Sequence, residues 1–88
     1  MSIMTEQARR ERLRYRSHHR GMLEMDLLLG GFADRHVAAM DGPALDDYEA
    51  LLVEQDQDIY DWYLGRTAPP VDRISAVLRL FLAYKIIP

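Results

Sequence analysis

A guanidinium, a glycine and a carboxylate lie within five residues of one another in the run Arg20-Gly21-Met22-Leu23-Glu24. On one continuous helix, Arg20 and Glu24 would share a face, because residues four apart are neighbours there. At a turn between two helices they would flank an exposed corner instead. The glycine favours the turn, since it accepts backbone angles that other residues resist. The surroundings change character at this point. Upstream lies the basic segment Arg12-Leu13-Arg14-Tyr15-Arg16-Ser17-His18-His19, and downstream the apolar Met25-Asp26-Leu27-Leu28-Leu29-Gly30-Gly31-Phe32.

The other reactive side chains do not assemble into a catalytic or metal set. His18 and His19 are adjacent, so on a helix they point about 100° apart and cannot easily share an ion. His36 is too distant to complete a ligand set, and no cysteine exists to do so. Acidic pairs are plentiful: Asp46 with Asp47, Asp56 with Asp58, Asp58 with Asp61. They read as helix caps and solvated faces. Asp56-Gln57-Asp58 lacks the glycine and the closing glutamate of a calcium loop. There is no phosphate-binding loop, and Ser2, Ser17 and Ser75 stand without the context of a nucleophile. The expectation is a protein without catalytic residues, without a metal and without cysteine redox chemistry.

Charge is unevenly placed. Residues 1–20 carry six arginines against Glu6 and Glu11, whereas residues 21–88 carry five basic and twelve acidic side chains, for a net charge of −3. Such polarity can steer a protein onto a partner. Arg9 to Arg20 with Tyr15 could form a nucleic-acid patch, but the acidic remainder of so small a domain would repel a phosphate backbone. No apolar run approaches the roughly 20 residues of a membrane span, so membrane insertion is not expected. The arginine-rich start suggests a transit peptide only superficially, because cleavage there would abut the Arg20 segment. The expectation is a mature cytoplasmic chain.

Eighty-eight residues make one domain, and the apolar periodicity is helical throughout. The first helix is expected over about 5–18, capped by Thr5, with Ala8, Leu13 and Tyr15 as a thin apolar stripe. The second is expected over 21–40. Its apolar surface nearly encircles the first two turns, and Gly30-Gly31 marks a kink or the close approach of a neighbour. Asp41 caps the third helix, whose buried stripe is Leu45, Tyr48 and Leu52. Asp56 caps the fourth and Gly65 ends it, with Trp62 as core anchor and Tyr60 on a different face. After the loop 67–70, a fifth helix is expected to run to Lys85 with Val71, Ile74, Leu78 and Phe81 on one face. The fold class is therefore all-α, a compact bundle of four to five short helices, with 1–11 as a mobile start and 86–88 as a tail.

The ordered blocks resemble the small FAD assembly, or flavinylation, factors of succinate dehydrogenase. That family's hallmark is an Arg-Gly-x-x-Glu motif, matched by Arg20, Gly21 and Glu24. Met25, Asp26, Leu29 and Phe32 follow, then Tyr48 to Leu52, Asp56, Asp58, Tyr60, Trp62 and a loop proline at Pro69 or Pro70. The similarity covers about residues 12–82. It implies an all-helical monomer that binds the flavoprotein subunit of succinate dehydrogenase, with that of fumarate reductase as a second client. It also implies promotion of covalent FAD attachment, with no FAD held stably by the factor itself. The partner-binding residues implied are His19, Arg20, Gly21, Met22, Glu24, Met25, Asp26 and Tyr60. In that role Arg20 would clasp a client carboxylate or carbonyls. Gly21 would permit close backbone approach, and Glu24 would accept from a client donor or hold Arg20. Met22 and Met25 would give adaptable apolar contact. The alternative reading is an antitoxin-like or nucleic-acid-associated regulator acting through the basic first helix.

Overall fold

The computed structural model describes residues 5–85; the expected tail 86–88 and the first four residues lie outside the described residues. Among the described residues there are five α-helices, two short 3-10 turns and no strand. They are α1 (Glu6–His18), α2 (Leu23–His36), α3 (Gly42–Val53), α4 (Asp56–Leu64) and α5 (Ala76–Ala83). The 3-10 turns are Val37–Ala39 and Val71–Arg73.

Local chemistry explains most of the boundaries. Thr5 accepts from the Ala8 amide at 3.0 Å and starts α1. Asp41 does the same for α3 through the Ala44 amide at 3.0 Å, with Pro43 in the first turn where a missing N–H costs little. Gly65 closes α4 in the left-handed conformation at φ 76°. The expected fifth helix is corrected. It begins at Ala76, because the Ser75 side chain takes the Leu78 amide at 3.0 Å and opens a new helix there. The preceding segment makes only the 3-10 turn. Val71 is accordingly 87% exposed, and Ile74 is exposed as well, so neither belongs to the buried face.

The core centres on α2, whose Met25, Leu28, Leu29, Phe32 and Ala33 recur at helical spacing and are buried. Phe32 meets Phe81 edge-on at 5.4 Å between ring centroids and Tyr48 at 5.6 Å. Around it gather Leu45, Leu51 and Leu52 of α3, Ile59 and Trp62 of α4, and Val77, Leu78 and Phe81 of α5. The apolar surface of α2 does not encircle it: Leu23 and Leu27 stand 70% and 59% exposed. Gly30 and Gly31 mark close approach. The His18 ring lies where a Gly30 side chain would be, and a Cβ on Gly31 would come within 2.6 Å of the Tyr84 hydroxyl.

α1 is held differently, since it buries only Leu13 and Ser17, and the expected stripe residues Ala8 and Tyr15 are exposed. Its arginines reach across to acids on other helices. Arg9 donates to Asp46 at 2.6 Å and to Glu49 at 3.0 Å. Arg10 caps the Met40 carbonyl at 2.8 Å, and Arg14 and His18 share Asp34 at 3.1 and 3.0 Å. The His18 hydrogen bond, with Arg14 behind it, holds the Asp34 carboxyl below its ordinary value. Within the expected mobile start 1–11, Arg9 and Arg10 make such contacts to residues of other elements.

One buried polar link joins three helices. The Ser17 hydroxyl donates to the Leu13 carbonyl at 2.7 Å, so its single proton is committed there. Tyr48 therefore donates to Ser17 Oγ at 2.5 Å, with the Leu29 carbonyl 3.5 Å away as a weaker acceptor. Burial pushes the Tyr48 phenol up to about 12. The folded state thus resists losing this proton, whereas the unfolded chain releases it near pH 10. The stability contributed is complete below pH 10 and is lost as pH rises through 12. At about 1.4 kcal/mol per pKa unit, the loss should be on the order of 2–3 kcal/mol. Urea unfolding between pH 9 and 12 should show this decline, and Tyr48→Phe should flatten it by a similar amount. Equal slopes for the two proteins would sink the assignment.

Candidate functional site

The chain turns sharply between α1 and α2, and the Arg-Gly-x-x-Glu residues form that turn. α1 ends when the His19 amide bonds back to the Arg16 carbonyl at 3.4 Å. The His19 ring stacks on Tyr15, with centroids 4.0 Å apart. Its Nδ1 lies 2.8 Å from the Tyr15 carbonyl, which can only accept, so Nδ1 carries the proton. His18 and His19 thus have separate partners. No group of three or more His, Cys, Asp or Glu residues placed to hold a metal ion occurs among the described residues.

Gly21 takes φ +89°, in the left-handed region where L side chains are strained. Apart from its two chain neighbours, no residue has an atom within 4 Å of where its Cβ would be. Its requirement for glycine within the chain is therefore conformational, and the space above it is open. Met22 precedes the first helical position of α2 and packs partly on the core. Glu24 lies in the first turn, where the helix dipole favours a carboxylate. It is exposed and its carboxylate has no hydrogen-bond or ion-pair partner among the described residues.

Arg20 and Met25 require correction. Arg20 is not an exposed cation, and it does not pair with Glu24. Its side chain is only 11% exposed and crosses to the junction of α3 and α4. There Nε donates to Asp56 Oδ1 at 2.8 Å, Nη1 to the Leu52 carbonyl at 2.7 Å and Nη2 to the Glu54 carbonyl at 3.0 Å. A helix leaves its last carbonyls without internal partners, and the planar guanidinium satisfies two at the end of α3 while neutralising the first residue of α4. The carboxylate and carbonyls expected on a partner are thus supplied by the chain itself. Met25 lies on the inner face of α2 with no exposed surface, so it is a core residue and offers a partner nothing.

Asp26 also turns inward: its Oδ1 accepts the Arg20 amide at 2.5 Å. Tyr60 is half-buried on α4, one turn beyond Asp56, with the Arg66 guanidinium 5.9 Å from its ring centroid. The structure therefore leaves Gly21 and Glu24 exposed at the start of α2, with Met22 between them packed partly on the core, turns His19 back onto Tyr15, and directs Arg20 and Asp26 inward. Asp56 is the residue that sequence reasoning assigned otherwise. It was expected as a cap, but Gln55 holds that position and Asp56 answers Arg20 from 36 residues away. No periodicity or local motif could have signalled that pairing.

Breaking this link should be costly. Arg20→Ala would leave Asp56 without its cation and two carbonyls without donors in a largely dry site. We expect a loss of about 2–4 kcal/mol in folding free energy. Arg20→Lys should recover only part of it, because an ammonium cannot span three acceptors in one plane. Chemical denaturation of the two variants measures both values, and an unchanged midpoint for Arg20→Ala would contradict the geometry.

Comparison with known proteins agrees with this framework. A family model described as "Flavinator of succinate dehydrogenase" matches residues 11–85. The FAD assembly factor SdhE of Acetobacter pasteurianus is 39% identical over 72 residues, which cover 82% of this chain and 66% of that protein. The mitochondrial succinate dehydrogenase assembly factor 2 of Candida glabrata is 49% identical over 67 residues, covering 74% of this chain and 44% of the relative. Its counterpart in Saccharomyces cerevisiae strain YJM789 is 50% identical over 67 residues, covering 74% and 41%. The chain thus spans two thirds or less of the length of these relatives. The match across 11–85 includes the whole turn and the α3–α4 junction that braces it, and the chain belongs to the family of flavinators of succinate dehydrogenase.

Proposed function

We propose that the chain is an assembly factor that docks through the Gly21–Glu24 corner onto the flavoprotein subunit of succinate dehydrogenase and promotes covalent attachment of FAD. The related subunit of fumarate reductase is a second client on this reading. The observation that carries the docking site is the Glu24 carboxylate, exposed and without a partner among the described residues, three residues after Gly21, whose outer side is open. A backbone without a side chain and a free acceptor are suited to a close, directional contact. Exposed Leu23 and Leu27 continue the surface along α2 and supply apolar area.

The bond between flavin and client forms from the client's own groups and the cofactor's chemistry. The factor's contribution is to favour the client conformation in which its histidine and the flavin meet, which requires only tighter binding to that conformation than to others. It holds no flavin of its own, acts as a monomer and works in the cytoplasm. No helix among the described residues is long and apolar enough to cross a membrane. The competing nucleic-acid reading is disfavoured by how α1 uses its charge. Arg9, Arg10 and Arg14 are engaged within the chain, Arg12 lies 3.8 Å from Glu49, and Arg20, just past the end of α1, is turned inward to Asp56.

Glu24→Ala should leave stability within roughly 0.5 kcal/mol, as for an exposed residue without partners, while client flavinylation falls by about tenfold. Leu52→Asp should instead unfold the domain by placing a charge in the core. Circular dichroism melting and in-gel flavin fluorescence of the client separate the two effects. If Glu24→Ala melts like Leu52→Asp, or flavinylates its client normally, the corner is not the docking site.

Gly21 admits a sharper test. Chemical synthesis with D-alanine at position 21 keeps the positive φ without strain and adds one methyl group into open space. Such a chain should fold normally yet bind the client poorly, because the methyl would intrude on the approaching backbone. Unimpaired binding would show that only the backbone angle matters. A gel-shift titration addresses the competing class: protein–nucleic acid binding that survives physiological salt would overturn the assembly-factor reading.

A further inference from the structure

We infer that Asp56, at the start of α4, is a positioning residue for the docking corner and acts on it through Arg20 without touching the client. The inference rests on the reading of the Gly21–Glu24 corner as the docking surface.

The residues 19–22 between α1 and α2 have no regular structure to stiffen them. Gly21 adds a left-handed step at φ 89°. What holds the turn is Arg20, fastened on two sides. Its amide is bound by Asp26 in the first turns of α2 at 2.5 Å. Its side chain is bound by three acceptors at the α3–α4 junction, of which Asp56 alone is charged. Asp56 is 19% exposed and Arg20 11%, so the pair is shielded from water and sits under the corner rather than on it. Gly21 and Glu24 follow one and four residues after this anchor. The placement of Gly21 against α4, and with it the approach to Glu24 in the first turn of α2, is therefore set by the Arg20–Asp56 link. Loss of the Asp56 charge would loosen the anchor, and the corner would sample geometries that do not fit the client. A partner that must find the corner preformed would then bind more weakly, in proportion to the fraction of time it is competent.

The test uses the full chain and the flavin-free flavoprotein subunit of succinate dehydrogenase, at a temperature where every variant is fully helical. Affinity is measured for Asp56→Ala, Glu24→Ala and the double variant, with Ile59→Val as a control for general destabilisation. Asp56→Ala is expected to weaken binding by about tenfold. The double variant should be little worse than Glu24→Ala alone, because both changes act through one contact. Flavinylation at saturating factor should return to the wild-type rate, since only docking is impaired. Ile59→Val should bind normally. In amide hydrogen exchange, the Arg20 amide, held by Asp26, should exchange faster in Asp56→Asn while those of α5 stay protected. This variant keeps the side chain's shape and serves if the alanine form fails to fold.

If Glu24→Ala binds normally, the docking reading falls and takes this inference with it. If Glu24→Ala binds weakly while a folded Asp56→Ala or Asp56→Asn binds normally, positioning by Asp56 is wrong and docking stands. Unchanged exchange at Arg20, or fully additive losses in the double variant, would also overturn it.

Discussion

The Arg20 guanidinium joins three places that the chain must bring together: the exit from α1, the end of α3 and the start of α4. It lies in a site with little water, where its hydrogen bonds to Asp56 and two carbonyls are not diluted by solvent. Enclosure of this kind has two sides. The pair gains little over a well-packed apolar replacement, because both charges were desolvated to form it. Removal of one partner is nevertheless severe, because the other charge is then left alone. The arrangement contributes definition more than net stability. It allows the turn 19–22, which contains a left-handed glycine and no ladder of hydrogen bonds, to hold one shape.

The same economy of charge runs through α1. A helix burying only Leu13 and Ser17 cannot be held by apolar area. Its arginines instead meet acids on α2 and α3, and its buried serine meets Tyr48. Exposed ion pairs are individually weak, on the order of 0–1 kcal/mol. Arg9, Arg10, Arg12, Arg14 and His18, engaged along one helix, nonetheless fix its register on the bundle. The basic and acidic halves of the sequence are thereby folded onto each other. A chain that reads as strongly polarised becomes a surface on which most of the positive charge is already answered.

These features bear on how an assembly factor can work. Docking must be firm enough to select one client conformation and weak enough to end. On the proposed docking reading, a corner made of one glycine, one carboxylate and two exposed leucines is small, and its affinity would depend on being preformed rather than on area. The brace beneath it keeps that cost low. Met25, once expected at the contact, supports α2 from the core side, and Met22 is partly buried against the core.

The helical class, the number of elements and most of the core were legible in the sequence, because they follow from local rules. Thr5, Asp41 and Gly65 cap as their chemistry requires, and Leu45, Tyr48, Leu52, Trp62 and Phe81 are buried where the 3.6-residue period places them. The family was legible too, from the ordered blocks around Arg20 and Tyr48. The fifth helix was misjudged at its start, since the side chain of Ser75 competes locally with an apolar pattern that ran straight through it. What no local rule could supply was the direction in which each polar side chain of the motif points. Sequence spacing allowed Arg20 to face Glu24, a partner or the interior. Only the packing of the α3–α4 junction beneath the turn decided for the interior, because that junction presents two unpaired carbonyls and a carboxylate within one guanidinium's reach. Long-range complementarity of this kind separates residues by dozens of positions and leaves no periodic trace, so the tertiary structure alone determined which part of the motif braces the fold and which part faces out.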